Sequence, residues 1–325
     1  MARLLTGLQP SGNLHIGNYL GALRPMVELS KSGEYEHIFL MVVDYHALTT
    51  LKNPKELKRN IIDVVADYIA AGIDPNKVII FKQSDVPQHT ELAWIFSCQM
   101  NMSLLELGHA YKDKVAKGLD ANVGLFTYPL LMAADILLYD ATDIPVGEDQ
   151  RQHIEYTREI AAKFNINYPG RSRIFNEAVK ERIFEGTGIV PGVDGAKMSK
   201  SYGNTIPLFA SDAEIKQAVM TVKTGSEPLG SPLPTDDTIL KLFSYFDKTG
   251  AESLAARYRA GTVGYKEAKE LLAEAIINGT HDMRVKRRDI TDEQVEKILM
   301  RGKTKAKAFA RKKMELVRRR IGVEV

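Results

Sequence analysis

Gly7-Leu8-Gln9-Pro10-Ser11-Gly12-Asn13-Leu14-His15-Ile16-Gly17-Asn18 follows the apolar pair Leu4-Leu5 and precedes Tyr19-Leu20-Gly21-Ala22-Leu23, so a first strand turns into a first helix across a glycine-rich loop. Unpaired amides at a helix N-terminus, together with the helix dipole, favour an anion there. Gly7, Gly12 and Gly17 let backbone come close to a nucleotide, Gln9 and Ser11 bring hydrogen-bonding side chains, and His15 and Asn18 are compact donors to phosphoryl oxygens. The stretch is neither G-x-G-x-x-G nor G-x-x-x-x-G-K-[ST], so dinucleotide and P-loop readings lack their motif.

Far downstream, Lys197-Met198-Ser199-Lys200-Ser201 places two ammonium groups three residues apart, flanked by Gly192, Gly195 and Gly203. Such a loop can close over a triphosphate and neutralise charge on nonbridging oxygens. Taken alone, it also describes a solvated basic turn.

Between the two stretches the pattern alternates. Apolar runs at Leu4-Leu5, Ile38 to Val43 and Val78 to Phe81 are interleaved with helical periodicity at about 17 to 30, 54 to 71 and 88 to 100. A further helix is expected to open at Pro129, a short strand at Ile144 to Val146, and another helix from Glu148 to Lys163. This predicts an α/β chain with a doubly wound parallel sheet, whose ligand lies at the carboxyl ends of the strands. After Asn204 only helical patterns remain, at about 211 to 222, 236 to 246, 264 to 278 and 291 to 321. The division expected is residues 1–206 for the sheet domain and 207–325 for a second, smaller all-helical domain.

The chain of 325 residues, 44% hydrophobic and 26% charged, is long enough to bury a sizeable core. It has no apolar run of membrane-spanning length and no signal-peptide layout, which implies a cytoplasmic protein. A single cysteine, Cys98, excludes an intrachain disulfide and a multi-cysteine metal site, and its neighbours Trp94 and Phe96 suggest a buried thiol. Residues 301–325 carry ten Lys or Arg against Glu315 and Glu324, a net +8 that leaves −5 on the other 300. Arg311, Lys312, Lys313, Arg318, Arg319 and Arg320 alternate with Phe309, Met314, Leu316, Val317 and Ile321 in helical register. That pattern suggests a cationic face for phosphates or an ordinary solvated helix.

The two signature stretches resemble the HIGH and KMSKS segments of class I aminoacyl-tRNA synthetases. The fuller text of the first, with Met132-Ala133-Ala134-Asp135-Ile136-Leu137-Leu138-Tyr139 and Pro145-Val146-Gly147-Glu148-Asp149-Gln150, is similar to the tryptophanyl branch. The resemblance implies a Rossmann-like core and a helical domain that holds the tRNA anticodon. It further implies ATP-dependent activation of L-tryptophan, transfer to tRNA, Mg²⁺ carried by the ATP rather than by a protein site, and a homodimer. No DNA or membrane partner is implied. His15, Asn18, Lys197 and Lys200 take the catalytic roles. Nucleotide contacts fall on Gln9, Pro10, Ser11, Gly17 and Asn18, on Gly147, Glu148, Asp149 and Ile189, and on Lys197, Met198, Ser199, Lys200 and Ser201. Lys114 fits a third phosphate-facing lysine, and equally a surface one.

Asp135 stands in a segment apolar nearly all round, where an unpaired carboxylate would be costly. An indole N–H is a donor with no acceptor character and would satisfy it, as would an internal Arg, Lys or Tyr. The resemblance assigns Asp135 to the indole and Gln150 to the polar end of the amino acid, with His46, Met132 and Val146 as pocket walls. Departures from the family pattern occur at Leu5, Tyr45, His109-Ala110 and Ala196. Because a phenol hydroxyl can also donate to a carboxylate, tyrosyl-tRNA ligation remains the nearest alternative. A tRNA-independent nucleotidyltransferase or a silent RNA-binding relative would use the same loop.

Overall fold

A computed structural model describes residues 2–106, 122–147, 151–184, 189–228 and 230–324. Strands β1 (Arg3–Leu8), β2 (His37–Val42), β3 (Ile79–Lys82), β4 (Asp143–Pro145) and β5 (Lys180–Arg182) form a parallel sheet in the order β3-β2-β1-β4-β5. The fifth strand, Lys-Glu-Arg, is polar and exposed at its start, so apolar patterning alone does not find it.

Both faces of the sheet are covered. Leu4, Leu8, Ile38, Leu40, Val42 and Ile80 join one buried cluster, while Leu5, Phe39, Met41, Val43, Ile79 and Phe81 join another. Burial on both sides explains why these strands read as continuous apolar runs. The first face is packed by the helices α1 (Arg24–Lys31) and α2 (Pro54–Ala70), the second by α3 (Gln88–Ser97), α4 (Val123–Leu137) and α5 (Arg151–Asn167). Before α1, Ile16–Asn18 and a π turn over Tyr19–Leu23 lead out of the glycine loop. Helix α2 starts as its sequence predicts, with the Asn53 side chain accepting from the Lys55 and Glu56 amides and Pro54 in the first turn.

Several expectations need correction. Helix α4 opens at Val123 rather than Pro129, because Asn122 caps it by accepting from the Leu125 amide at 2.9 Å and Pro129 is carried inside. Cys98 is exposed, as is Trp94, four residues earlier on the outer side of α3. Helix α6 (Asp212–Met220) and helix α7 (Thr238–Phe246) match their patterns, α8 (Lys248–Arg259) was not anticipated, and α9 (Tyr265–Asp289) runs well past residue 278. Residues on both sides of position 206 share the first cluster, with Ile215, Leu272 and Ile276 packed alongside the sheet residues.

The largest departure is α10 (Asp292–Ile321). Its Val295 and Leu299 lie in the first cluster, while its Ala306, Ala310, Met314 and Val317 lie in the second. The helix therefore wraps around the open β3 edge, a strand edge that would otherwise present unpaired backbone groups. Gly302 marks the crossing: a Cβ there would collide with the Ile80 carbonyl oxygen and carbon. Three of the six cations expected on a phosphate-binding face turn inward instead. Lys313 is buried and donates to Asp140 and the Ile174 carbonyl, Arg318 clasps Glu91, and Arg320 donates to the Tyr168 and Ser172 carbonyls. Because the obstacle is strand backbone, Gly302→Ala should destabilise the protein by about 3 kcal/mol, the upper range for overpacking. Thermal unfolding checks this, and an unchanged midpoint rejects the edge-wrapping role.

Candidate functional site

The strand order places the switch in winding direction at β1, and the loop after β1 lies in that crevice. Here the two signature stretches meet. The Gly17 amide donates to the Met198 thioether at 3.2 Å across 181 residues, and the Lys200 ammonium donates to the Ser11 carbonyl at 2.7 Å. Pairing of His15 with Pro207 and backbone hydrogen bonds from Ile16 to Ile206 and from Leu208 to Leu14 tie the same regions together. Gly17 is needed for its smallness: a Cβ would lie 3.0 Å from His15 Nδ1 and 3.1 Å from Met198 Cβ.

His15 and Asn18 form a reciprocal cap. The Asn18 amide donates to His15 Nδ1 at 3.2 Å, and the His15 amide donates to Asn18 Oδ1 at 3.1 Å. An Nδ1 that accepts leaves the proton of the neutral ring on Nε2, and a committed Oδ1 leaves Asn18 its Nδ2 donors. Burial, and secondarily the Lys200 charge, lower the His15 pKa from 6.5 to about 4. The ring is thus a neutral donor near pH 7. Burial likewise lowers the Lys200 pKa, against the opposing pull of Asp67.

The lysine loop is built on a residue that sequence reasoning missed. Buried Asn204 donates from Nδ2 to Asp194 and to the Lys197 carbonyl, at 2.7 and 3.0 Å, and accepts from the Ser199 amide at 2.8 Å. Any side chain at Gly192 would collide with Asn204. Gly192 and Asn204 flank the signature without belonging to it, which is the one sequence cue to their role. The loop holds Met198 buried and Lys197 exposed, with the Ser199 and Ser201 hydroxyls 2.9 Å apart. Gln9 accepts from the Ser11 amide through its carbonyl, Pro10 is buried, and Ile189 is exposed. Gly147 follows β4, beside β1 in the sheet. Glu148, Asp149, Gln150, Lys114 and the His109-Ala110 departure lie outside the described residues.

Asp135 is buried and surrounded by donors. His46 Nε2 lies 2.9 Å from Oδ2, His89 Nδ1 lies 2.6 Å from Oδ1, and Gln83 Nε2 reaches both oxygens at 2.9 Å. The amides of Tyr45 and His46 donate to Gln83 Oε1, which orients that side chain. Burial pushes the Asp135 carboxyl up, but the charge and hydrogen bonds of His89 and His46 outweigh it and hold the pKa below its ordinary value. The internal partners expected were Arg, Lys or Tyr, and the structure supplies two histidines and a glutamine instead. Met132 lies one turn before Asp135 and Val146 directly follows β4, both partly buried.

A histidine pKa near 4 means that the unfolded ring gains its proton near 6.5 while the folded ring does not. This group's contribution to stability is complete above pH 6.5 and is lost as the pH falls toward 4. An NMR titration of His15 should give a midpoint of about 4, and Lys200→Ala should raise that midpoint only part of the way, because burial is the larger cause. A midpoint unmoved by the substitution would contradict the proximity of the two side chains.

The family model for class I tRNA synthetases of the W and Y type matches residues 1–279. The tryptophan–tRNA ligase of Fusobacterium nucleatum subsp. nucleatum is 44% identical over 99% of this chain and 98% of its own length; that of Rhodopirellula baltica is 42% identical over 99% of each. Among solved structures, Campylobacter jejuni tryptophanyl-tRNA synthetase complexed with ADP and tryptophan superposes with a TM-score of 0.91 at 42% identity, covering 98% of this chain and 99% of that one.

Proposed function

From the premise that this chain belongs to the class I tRNA synthetases for tryptophan and tyrosine, we propose how its site activates L-tryptophan with ATP and transfers it to tRNA. The chain is an aminoacyl-tRNA ligase, and its close relatives are tryptophan–tRNA ligases, so the tyrosine alternative is not favoured. The observation that carries the reading is the clasp between the two signature stretches, Gly17 to Met198 and Ser11 to Lys200.

The tryptophan carboxylate attacks the α-phosphorus of ATP, the bond to pyrophosphate breaks, and tryptophanyl-adenylate forms. The terminal adenosine hydroxyl of tRNA then attacks the acyl carbon and AMP leaves. No protein nucleophile is needed, so the protein's work is positioning and charge stabilisation. His15 donates from Nε2 and Asn18 from Nδ2 to α-phosphoryl oxygens, while Lys197 and Lys200 neutralise the departing pyrophosphate. Gln9, Pro10, Ser11, Gly17, Met198, Ser199 and Ser201 frame the nucleotide, with Gly147 and Ile189 at its rim. Among the described residues, no group of three His, Cys, Asp or Glu is arranged to hold a metal ion. Mg²⁺ bound through the ATP phosphates would screen their charge.

Asp135 receives the indole N–H, with His46, Met132 and Val146 around it. A phenylalanine side chain would bring no donor to that carboxylate and would lose this hydrogen bond. Residues 207–325 hold the anticodon region, with the end of α10 fastened to the catalytic core. The chain works in the cytoplasm, and no helix among the described residues is long and apolar enough to cross a membrane. Exposed Trp94, Met102 and Val123, on α3, the short helix Met102–Glu106 and α4, support a homodimer covering this face.

Exchange of pyrophosphate into ATP should depend on tryptophan and not tyrosine. Asp135→Ala should lose that selectivity, and Lys197→Ala and Lys200→Ala should each slow adenylation by about 10²-fold. Unchanged kinetics in all three variants would reject the site. In light scattering Trp94→Glu should halve the particle mass, and an undiminished dimer would exclude this face.

A further inference from the structure

Asp135 has a front and a back. Oδ2 meets His46, which is partly exposed, whereas Oδ1 meets His89, which is fully buried. Gln83 bridges both oxygens and so cannot distinguish them. His89 Nε2 in turn lies 2.9 Å from the hydroxyl of Tyr139, which is itself fully buried. Burial and the Asp135 charge raise the Tyr139 pKa well above 10, so its hydroxyl keeps its proton. An ionised Asp135 can only accept, so His89 Nδ1, 2.6 Å from Oδ1, carries a proton directed at that oxygen, with the Tyr139 hydroxyl at the other ring nitrogen.

Both supports are anchored. His89 opens α3, whose Glu91 accepts from Arg318 Nε and Nη2 at 2.7 and 2.6 Å. Tyr139 and Asp140 are gripped from two sides: Arg3 donates to the Tyr139 carbonyl at 3.1 Å, and Lys313 donates to Asp140 at 2.5 Å. Asp140 has a φ of 51°, and it is the one non-glycine among the described residues with positive φ. Backbone strain of this kind persists where surrounding contacts determine it. Phe81 stacks on the His89 ring at 6.2 Å, which limits its tilt.

We infer that His89, backed by Tyr139, is a positioning residue that pins Oδ1 of Asp135 and so presents Oδ2 to the indole N–H of tryptophan. The inference rests on the assignment of Asp135 to the indole. A carboxylate free to rotate about its Cβ–Cγ bond would spread its acceptor directions and blur the distinction between a ligand that donates there and one that does not. With Oδ1 fixed, the acceptor site is preorganised, and a substrate lacking the N–H forgoes the hydrogen bond that Oδ2 is aimed to accept.

The test uses the full-length protein and compares tryptophan with its benzothiophene analogue, which carries sulfur in place of the N–H, by kcat/KM in pyrophosphate exchange. If the wild-type protein does not discriminate between the two, the Asp135 assignment itself fails, a result distinct from failure of the His89 inference. Given wild-type discrimination, His89→Leu should lower it by about tenfold through KM for tryptophan, with KM for ATP unchanged. His89→Asn, whose Nδ2 can replace the ring Nδ1 donor, should restore it to within about threefold of wild type. Unchanged discrimination in His89→Leu, or His89→Asn no better than His89→Leu, overturns the inference. Should His89→Leu not fold, Tyr139→Phe decides, with a loss of about threefold expected and no loss overturning it.

Discussion

A backbone amide at Gly17 reaches a thioether 181 residues away, and the crevice where the two signature stretches meet is organised around that contact. The approach is steric before it is electrostatic. A Cβ at residue 17 would crowd both the His15 ring and Met198 in the space they share. Met198 is buried at this point while Lys197 before it is exposed and Lys200 after it rests on the Ser11 carbonyl. One packed side chain thus sets where two cations stand. Asn204 gives the loop its internal frame, and Gly192 is small because Asn204 occupies the space a side chain would need.

Desolvation works differently at the two ends of the site. At His15 it keeps an imidazole neutral, which turns a potential cation into a directed hydrogen-bond donor. At Asp135 it acts against the carboxylate charge, and the protein answers with donors from three segments: His46 after β2, Gln83 after β3 and His89 at the start of α3. A buried carboxylate without such partners would take up a proton and lose its value as a selective acceptor. The β3 edge of the sheet is closed by α10, whose Lys313, Arg318 and Arg320 act as braces onto the rest of the fold.

Much was legible in the primary structure. The two signatures carry their chemistry in local residue types: glycines beside a strand end, a histidine and an asparagine in the first helical turn, two lysines three apart. The parallel sheet was legible because strands buried on both faces are apolar throughout, and α2 because its helical periodicity is local. Helix α4 was misplaced because a proline reads as a helix start, whereas a side-chain cap seven residues earlier sets the true one. The basic C-terminal run left a phosphate-facing and a solvated helix both open, because charge pattern records how many cations a helix carries, not which acceptors stand opposite them.

What the sequence alone determined is therefore the inventory: the two signature stretches, the parallel α/β core and the family these residues resemble. Tertiary structure alone decided the partnerships: Met198 on Gly17, Asn204 inside the lysine loop, His89 and Tyr139 behind Asp135, and α10 folded over β3 at Gly302. The reason is physical. Propensity, capping and periodicity act over a few residues and leave a local trace, whereas desolvation and steric fit depend on atoms brought together from distant parts of the chain. Those exist as neighbours only after folding.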